Sequence, residues 1–335
     1  MLRAGWLLRI ERNFSHFSAF NLQEKSSMDR LKDKVAIVFG AGPNIGGTIA
    51  HFLAREGAKV CVTDVSEAAA NDTVDFLRER GLEAFAVQAN ARVDADVKRA
   101  VDATMERYGR LDISVNMAGR VHWSHVLDMK HDDWDDSVAS FATAGLLTTQ
   151  HCARAMIKSG NGGSMIHILS TAAHFGEADG AAYCAAKAAM LSFVRSSALD
   201  LAHLGIRVNS VTPCSMEHQL WSTMRDEMFD PNWKVPEDRK GFYSRQEYLD
   251  QMPLRRFPRA SDLAWATVFL AADESSCMTG SDMAVDGGLR HKYPTWSPGR
   301  HYPLDIKDYA RSIQWTKYGE PQGPLTELLG EPVER

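Results

Sequence analysis

The sequence predicts a single α/β domain: a doubly wound parallel β-sheet with helices on both faces. Three observations predict it. Short apolar, β-branched runs alternate with longer helical stretches between Leu31 and Leu289, the spacing expected of βαβ crossovers. A glycine-rich turn follows the first run, and a carboxylate, Asp64, ends the second.

Taken in order, Val35 to Phe39 (VAIVF) runs into glycines, which suits a strand buried on both faces. A helical stretch over 45–56 is stopped by Gly57, and a second strand over 59–63 leads into Asp64. Helix 66–80, strand 83–88, helix 94–108 and strand 111–115 continue the alternation. A helix near 132–158 precedes strand 164–169, helix 181–204 precedes strand 206–211, and helix 261–272 precedes a last short strand near 282–285. No repeat or low-complexity tract interrupts the pattern, so residues 30–289 are expected to form the folded domain.

Two stretches break the rhythm. Residues 214–258 mix Met, Trp, Phe, Tyr, Pro and charge without a period, and they follow a strand where a doubly wound sheet places its ligand crevice; a substrate lid is expected there. Residues 290–335, with Pro294, Pro298, Pro303, Pro321, Pro324 and Pro332, read as an extended arm that packs on its own domain or on a neighbouring subunit. At the other end, residues 1–29 read as a flexible extension. Arg3, Arg9 and Arg12 give it some likeness to a mitochondrial transit peptide, whereas Glu11 and Glu24 count against one. A cytoplasmic location is expected, with the mitochondrial matrix as the alternative.

The 335 residues are 44% hydrophobic and 24% charged, an ordinary globular balance. A net charge of −5 gives no electrostatic reason to expect nucleic acid or an anionic membrane as a partner. No apolar run approaches the roughly 20 residues that span a bilayer. Five scattered cysteines, without a C-x-x-C pair, read as reduced thiols and not as a disulfide or zinc framework.

Chemistry concentrates in two places. In Phe39-Gly40-Ala41-Gly42-Pro43-Asn44-Ile45-Gly46-Gly47, glycines let the backbone turn tightly and approach a pyrophosphate at a helix N-terminus; a plain βα turn would use the same residues. Asp64 can accept hydrogen bonds from ribose hydroxyls and would repel a 2′-phosphate, or serve only as a helix N-cap. No Arg or Lys lies between Gly40 and Gly47, so NAD is expected over NADP. Further on, Tyr183 and Lys187 are spaced i, i+4 on one helical face. A neighbouring cation favours the phenolate and is expected to lower the Tyr183 pKa towards the range of an acid/base. Ser170, thirteen residues before Tyr183, closes a strand and can hold a substrate oxygen beside it. A Tyr/Lys pair alone is usually a solvated face; the glycine turn, Asp64 and Ser170 in this order favour catalysis.

The chain resembles the short-chain dehydrogenase/reductase family, in the branch with Tyr-x-x-x-Lys, over about Leu31 to Leu289. Gly40 to Gly46 matches its T-G-x-x-x-G-x-G turn and Asn116-Met117-Ala118-Gly119 its N-N-A-G segment. Ser170, Tyr183 and Lys187 match its catalytic residues, and Ile206 to Pro213 its I-R-V-N-x-V-x-P strand. Met278-Thr279-Gly280 and Val285-Asp286-Gly287-Gly288 match the closing segment. The resemblance implies a Rossmann-like domain, a homodimer or homotetramer, and a Lys187 that binds the nicotinamide ribose. It places Gly40, Gly42, Asn44, Ile45, Gly46, Asp64, Asn90, Ala91, Asn116, Ala118, Gly119, Tyr183, Lys187 and Pro213 around the cofactor.

Departures from the family pattern are specific. Asn44 replaces the middle glycine, where its tolerance of left-handed geometry is expected to preserve the turn. Phe39, Met117, Asn90, Cys214 and His218 also depart. The family's fourth catalytic residue, an Asn that holds a relay water, falls at Phe141, which receives no catalytic role; slow turnover or another proton route is expected.

Loops 120–126, 172–180 and 214–250 are expected to border the nicotinamide, with His122, Trp123, His174, Met216, His218 and Trp221 as substrate candidates. Together they suggest a moderately large apolar or ring-containing small molecule, and the histidines show no metal-ligand spacing. The expected activity is NAD-dependent interconversion of a secondary alcohol and a ketone. Two alternatives stay open: an NADP-linked carbonyl or 3-oxoacyl reductase, and a catalytically weakened dinucleotide-binding regulatory subunit.

Overall fold

The computed structural model describes residues 29–216 and 250–292. The expectations for the N-terminal extension, most of the lid, the arm beyond Lys292, and His218 and Trp221 lie outside the described residues.

Within them, seven strands form one parallel sheet, with seven helices packed around it. In chain order these are β1 (Val35–Phe39), α1 (Ile45–Arg55), β2 (Lys59–Asp64), α2 (Glu67–Arg78), β3 (Ala84–Gln88), α3 (Asp94–Tyr108), β4 (Ile113–Asn116), α4 (His131–Val138), α5 (Ala144–Ser159), β5 (Gly163–Ile168), α6 (Ala181–Ala202), β6 (Ile206–Pro213), α7 (Ala260–Ala271) and β7 (Asp282–Val285). The spatial order is β3-β2-β1-β4-β5-β6-β7, with every pairing parallel. The expected doubly wound fold is present.

The β1 sequence shows why. Every residue of VAIVF is buried, and period-2 alternation sends its side chains into two different cores. Ala36 and Val38 join Ile49, Leu53, Val74, Leu77, Leu263 and Val268 on one face. Val35, Ile37 and Phe39 join Val97, Val101, Cys152, Met156 and Val194 on the other. Each fully buried Val, Leu or Ile stabilises the fold by about 1.5–3 kcal/mol relative to exposure, so a strand apolar on both sides is stable only between two helical layers.

Strand order reverses between β1 and β4, where Phe39 lies opposite Asn116. A crevice opens there because the crossovers from the two strands leave in opposite directions. This register sets the Gly40 turn beside the Asn116–Gly119 segment.

The helix expected near 132–158 is not continuous. A π-helical turn, Ala139–Thr143, separates α4 from α5; Ser140 Oγ donates to the Asp136 carbonyl at 2.6 Å, and Phe141 is buried within the turn. Such a turn holds one extra residue without altering the apolar pattern, so periodicity does not reveal it.

At the far edge, Asp282 of β7 accepts hydrogen bonds from Ser210 Oγ at 2.7 Å and Thr212 Oγ1 at 2.6 Å. It also pairs with Arg290 and with His174 Nε2, the latter at 2.9 Å. No described helix is long and apolar enough to cross a membrane.

Candidate active site

The turn after β1 is built by its glycines. Gly40 has φ +75°, and a Cβ there would lie 2.8 Å from the Ala118 backbone; a Cβ at Gly46 would lie 2.1 Å from the Gly40 carbonyl oxygen. Only glycine permits both approaches. Asn44 keeps the turn by a different means from the one expected. Its φ of −147° is not left-handed; it caps α1, accepting from Gly46 N–H at 2.9 Å.

Asp64 reaches across to this turn. Its Oδ2 accepts from Gly42 N–H and its Oδ1 from Ser66 N–H, each at 3.0 Å, while the N-cap of α2 is Ser66. A carboxylate is thereby fixed beside the glycine turn. Around the same crevice, Asn116 Oδ1 accepts from Ala118 N–H at 3.1 Å, and Asn90 Oδ1 accepts from Arg92 N–H at 3.1 Å. Ala91 and Pro213 are buried, and Ile45 packs against the core. These residues fit a dinucleotide: a close-approach backbone, a helix N-terminus and a hydroxyl-accepting carboxylate.

Ser170, Tyr183 and Lys187 meet beyond β5. Lys187 is buried, and its Nζ donates to the Ile168 carbonyl at 2.9 Å. Burial pushes its pKa down to about 7, because an ammonium loses its hydration there. Phe141 covers the same ammonium, its ring centroid 4.3 Å from Nζ. That ring also meets the Tyr183 ring edge-on at 5.3 Å, and a Cβ at Gly119 would lie 1.8 Å from it. Trp123 tilts against Tyr183 at 5.8 Å.

The expected lowering of the Tyr183 pKa is corrected by this geometry. Burial pushes the phenol above its ordinary value, a hydrogen bond with Ser170 opposes this, and the charge of Glu177 adds to the rise. Lys187 Nζ lies 5.8 Å from the ring centroid and is turned to the Ile168 carbonyl. Spacing brings the two side chains to one face, but burial sets the sign of the shift.

Ser170 and Tyr183 open onto a cavity of about 700 Å³, with Val121, Trp123, Phe175 and Leu289 as apolar walls and Glu177, Gln251 and Lys292 as polar ones. Trp123 is the described substrate candidate that lines it. His122 turns away, its Nε2 2.7 Å from Asp136 Oδ2, because the acidic face of α4 draws it. His174 is held in the Asp282–Arg290 network. Met216 packs against one of the hydrophobic cores. Glu177, Gln251, Leu289 and Lys292 were missed: Gln251, Leu289 and Lys292 lie far along the chain from Tyr183. Only Glu177, six residues before Tyr183, had a positional signal.

Comparison with known proteins identifies the family. A family model described as enoyl-(acyl carrier protein) reductase matches residues 40–290. An uncharacterized oxidoreductase of Thermotoga maritima is 33% identical over 258 residues, 77% of this chain and 98% of that one. A sorbitol dehydrogenase of Cereibacter sphaeroides is 32% identical over 259 residues, 77% and 98% of the two chains. A 3-oxoacyl-(acyl-carrier-protein) reductase of Staphylococcus epidermidis is 30% identical over 258 residues, 77% and 99%. The solved structure of a short-chain type dehydrogenase/reductase from Mycobacterium marinum superposes with a TM-score of 0.67 at 28% identity, covering 79% of this chain and 98% of that one. The chain belongs to the short-chain dehydrogenase/reductase family, and it is an oxidoreductase.

Proposed function

We propose that this oxidoreductase interconverts a secondary alcohol and a ketone on a moderately large, ring-containing small molecule, with NAD as its dinucleotide. The observation that carries the reading is the placement of Ser170 and Tyr183 on the cavity wall with Lys187 buried behind them. Gly40, Gly42, Asn44, Ile45 and Gly46 would hold the pyrophosphate, Asp64 the adenosine ribose, and Asn90, Ala91, Asn116, Ala118, Gly119 and Pro213 would line the rest. When bound, the dinucleotide supplies the hydride acceptor for oxidation or the donor for reduction.

The chain's residues handle the proton. Ser170 Oγ orients the reacting oxygen. Tyr183 Oη takes the carbinol proton in oxidation and returns it in reduction. Lys187, when charged, stabilises the phenolate and would hold the nicotinamide ribose. Phe141 carries no group that can hold a water or pass a proton.

Asp64 supports NAD, since its carboxylate would lie against a 2′-phosphate. All five cysteines are free thiols, which supports a reducing compartment such as the cytoplasm. Family membership supports a homodimer or homotetramer.

The test is spectrophotometric: the purified protein with NAD and a panel of cyclic and aromatic secondary alcohols, and with NADH and the matching ketones. Tyr183→Phe is expected to lower kcat/KM by about 10²–10⁴-fold, the usual contribution of a positioned acid/base. No turnover on any panel member, with NADH still bound tightly, would favour the regulatory-subunit reading.

A further inference from the structure

The cavity wall holds one charged group that the chemistry above does not use. Glu177 lines the cavity, in a turn fixed by Gly180 N–H donating to its carbonyl at 3.1 Å. A second tie, Ser124 N–H to the Asp179 carbonyl at 2.8 Å, joins this turn to the loop that carries Trp123. Gly180 marks how close the two side chains come. A Cβ there would lie 2.8 Å from Trp123 Cζ3 and 3.3 Å from Glu177 Cβ.

The indole and the Glu177 side chain therefore both approach Gly180, and both line the cavity onto which Tyr183 opens. Among the described residues no cation pairs with Glu177. Partial burial pushes its carboxyl pKa up, and its charge raises the Tyr183 pKa in turn. Glu177 is exposed on this wall, and its carboxylate can accept a hydrogen bond from a ligand's donor in place of water. Lys292, on the same cavity, disfavours a cationic ligand and leaves a neutral hydroxyl as the fitting donor.

We infer that Glu177 selects substrates bearing a second hydroxyl, accepting its hydrogen bond while Trp123 and Phe175 flank the ring and the reacting carbinol faces Tyr183. This rests on the alcohol–ketone reading and narrows it to ring-bearing diols.

The experiment uses the full chain with cyclohexanol, the 1,2-, 1,3- and 1,4-cyclohexanediols and trans-2-aminocyclohexanol. Turnover is followed with NAD, and binding is followed by calorimetry on NADH-loaded protein. At least one diol is expected to be favoured over cyclohexanol by about tenfold or more, the scale of a hydrogen bond to a charged group. Glu177→Leu is expected to collapse that ratio to within about threefold of one. Glu177→Gln, which keeps a neutral acceptor, is expected to give an intermediate value. An unchanged ratio in both variants, no diol favoured by the parent protein, or the amino alcohol favoured over every diol would each overturn the assignment. Glu177-dependent diol binding without turnover of any alcohol or ketone would overturn the alcohol–ketone reading and leave Glu177 as the diol-binding group.

Discussion

Two rings meet Tyr183: Phe141 edge-on at 5.3 Å and the tilted indole of Trp123 at 5.8 Å. Their packing holds the phenol, which leaves its hydroxyl to Ser170 and the substrate. Lys187 behind it carries a measurable signature. Its folded pKa of about 7 lies below the ordinary 10.5, so between those values the unfolded chain binds a proton that the folded chain does not, and stability rises with pH. The cost of burying the charged amine is greatest below pH 7. Comparing melting temperatures of parent and Lys187→Met from pH 6 to pH 10.5 should show the difference moving steadily in the parent's favour; a flat difference would contradict the depressed pKa. Asp64 gives a second residue-scale prediction. Asp64→Ala removes the carboxylate from the glycine turn and is expected to raise the NADP-to-NAD ratio of kcat/KM by about tenfold or more, on the scale of one charged contact. No gain in that ratio would count against the NAD assignment.

At the scale of elements, the π turn between α4 and α5 sets Phe141 over Lys187 and against Gly119. A Cβ at Gly119 would lie 1.8 Å from the ring, so Gly119→Ala should cost about 1–3 kcal/mol by overpacking. Phe141→Leu should relieve part of that cost, with a coupling of about 0.5 kcal/mol or more in a denaturant double-mutant cycle. Strict additivity would show that the contact carries no energy. The strands and helices were legible because apolar periodicity is a local signal: α3 spans Asp94–Tyr108 and β7 spans Asp282–Val285, where the pattern put them. The π turn was not, since one added residue leaves that pattern intact. The candidate site was legible where motif and element coincide: Ser170 and Tyr183 reach one cavity wall, and Gly40 forms the tight turn after β1. It was not where long-range partners decide a direction: His122 follows Asp136, His174 follows Asp282, and Lys187 follows the Ile168 carbonyl.

For the whole molecule, the Asp282 network ties β6, β7, the loop at His174 and the final described turn, Leu289–His291, into one unit. Burial raises the Asp282 pKa, but the Thr212 and Ser210 hydroxyls and the Arg290 guanidinium outweigh it and hold the group below the usual carboxylate range. A depressed pKa means stability that is present at neutral pH and lost as pH falls below the ordinary carboxylate value. Asp282→Asn should therefore cost about 3 kcal/mol at pH 7, as a broken buried pair does, and progressively less towards pH 3 in urea titrations. An equal cost at both pH values would exclude the ionised pair as its source. Sheet order carries a different consequence, one of time. β1 is made first yet lies mid-sheet, bonded to β2 on one side and to β4 on the other. At 5–20 residues per second, ribosomal synthesis takes roughly 4–15 s to travel from Phe39 to Asn116. β2 and β3 are made within that interval, while the β1 edge that β4 will cover stays unpaired, the kind of surface that recruits other strands. The first strand made thus waits seconds for one of its two neighbours.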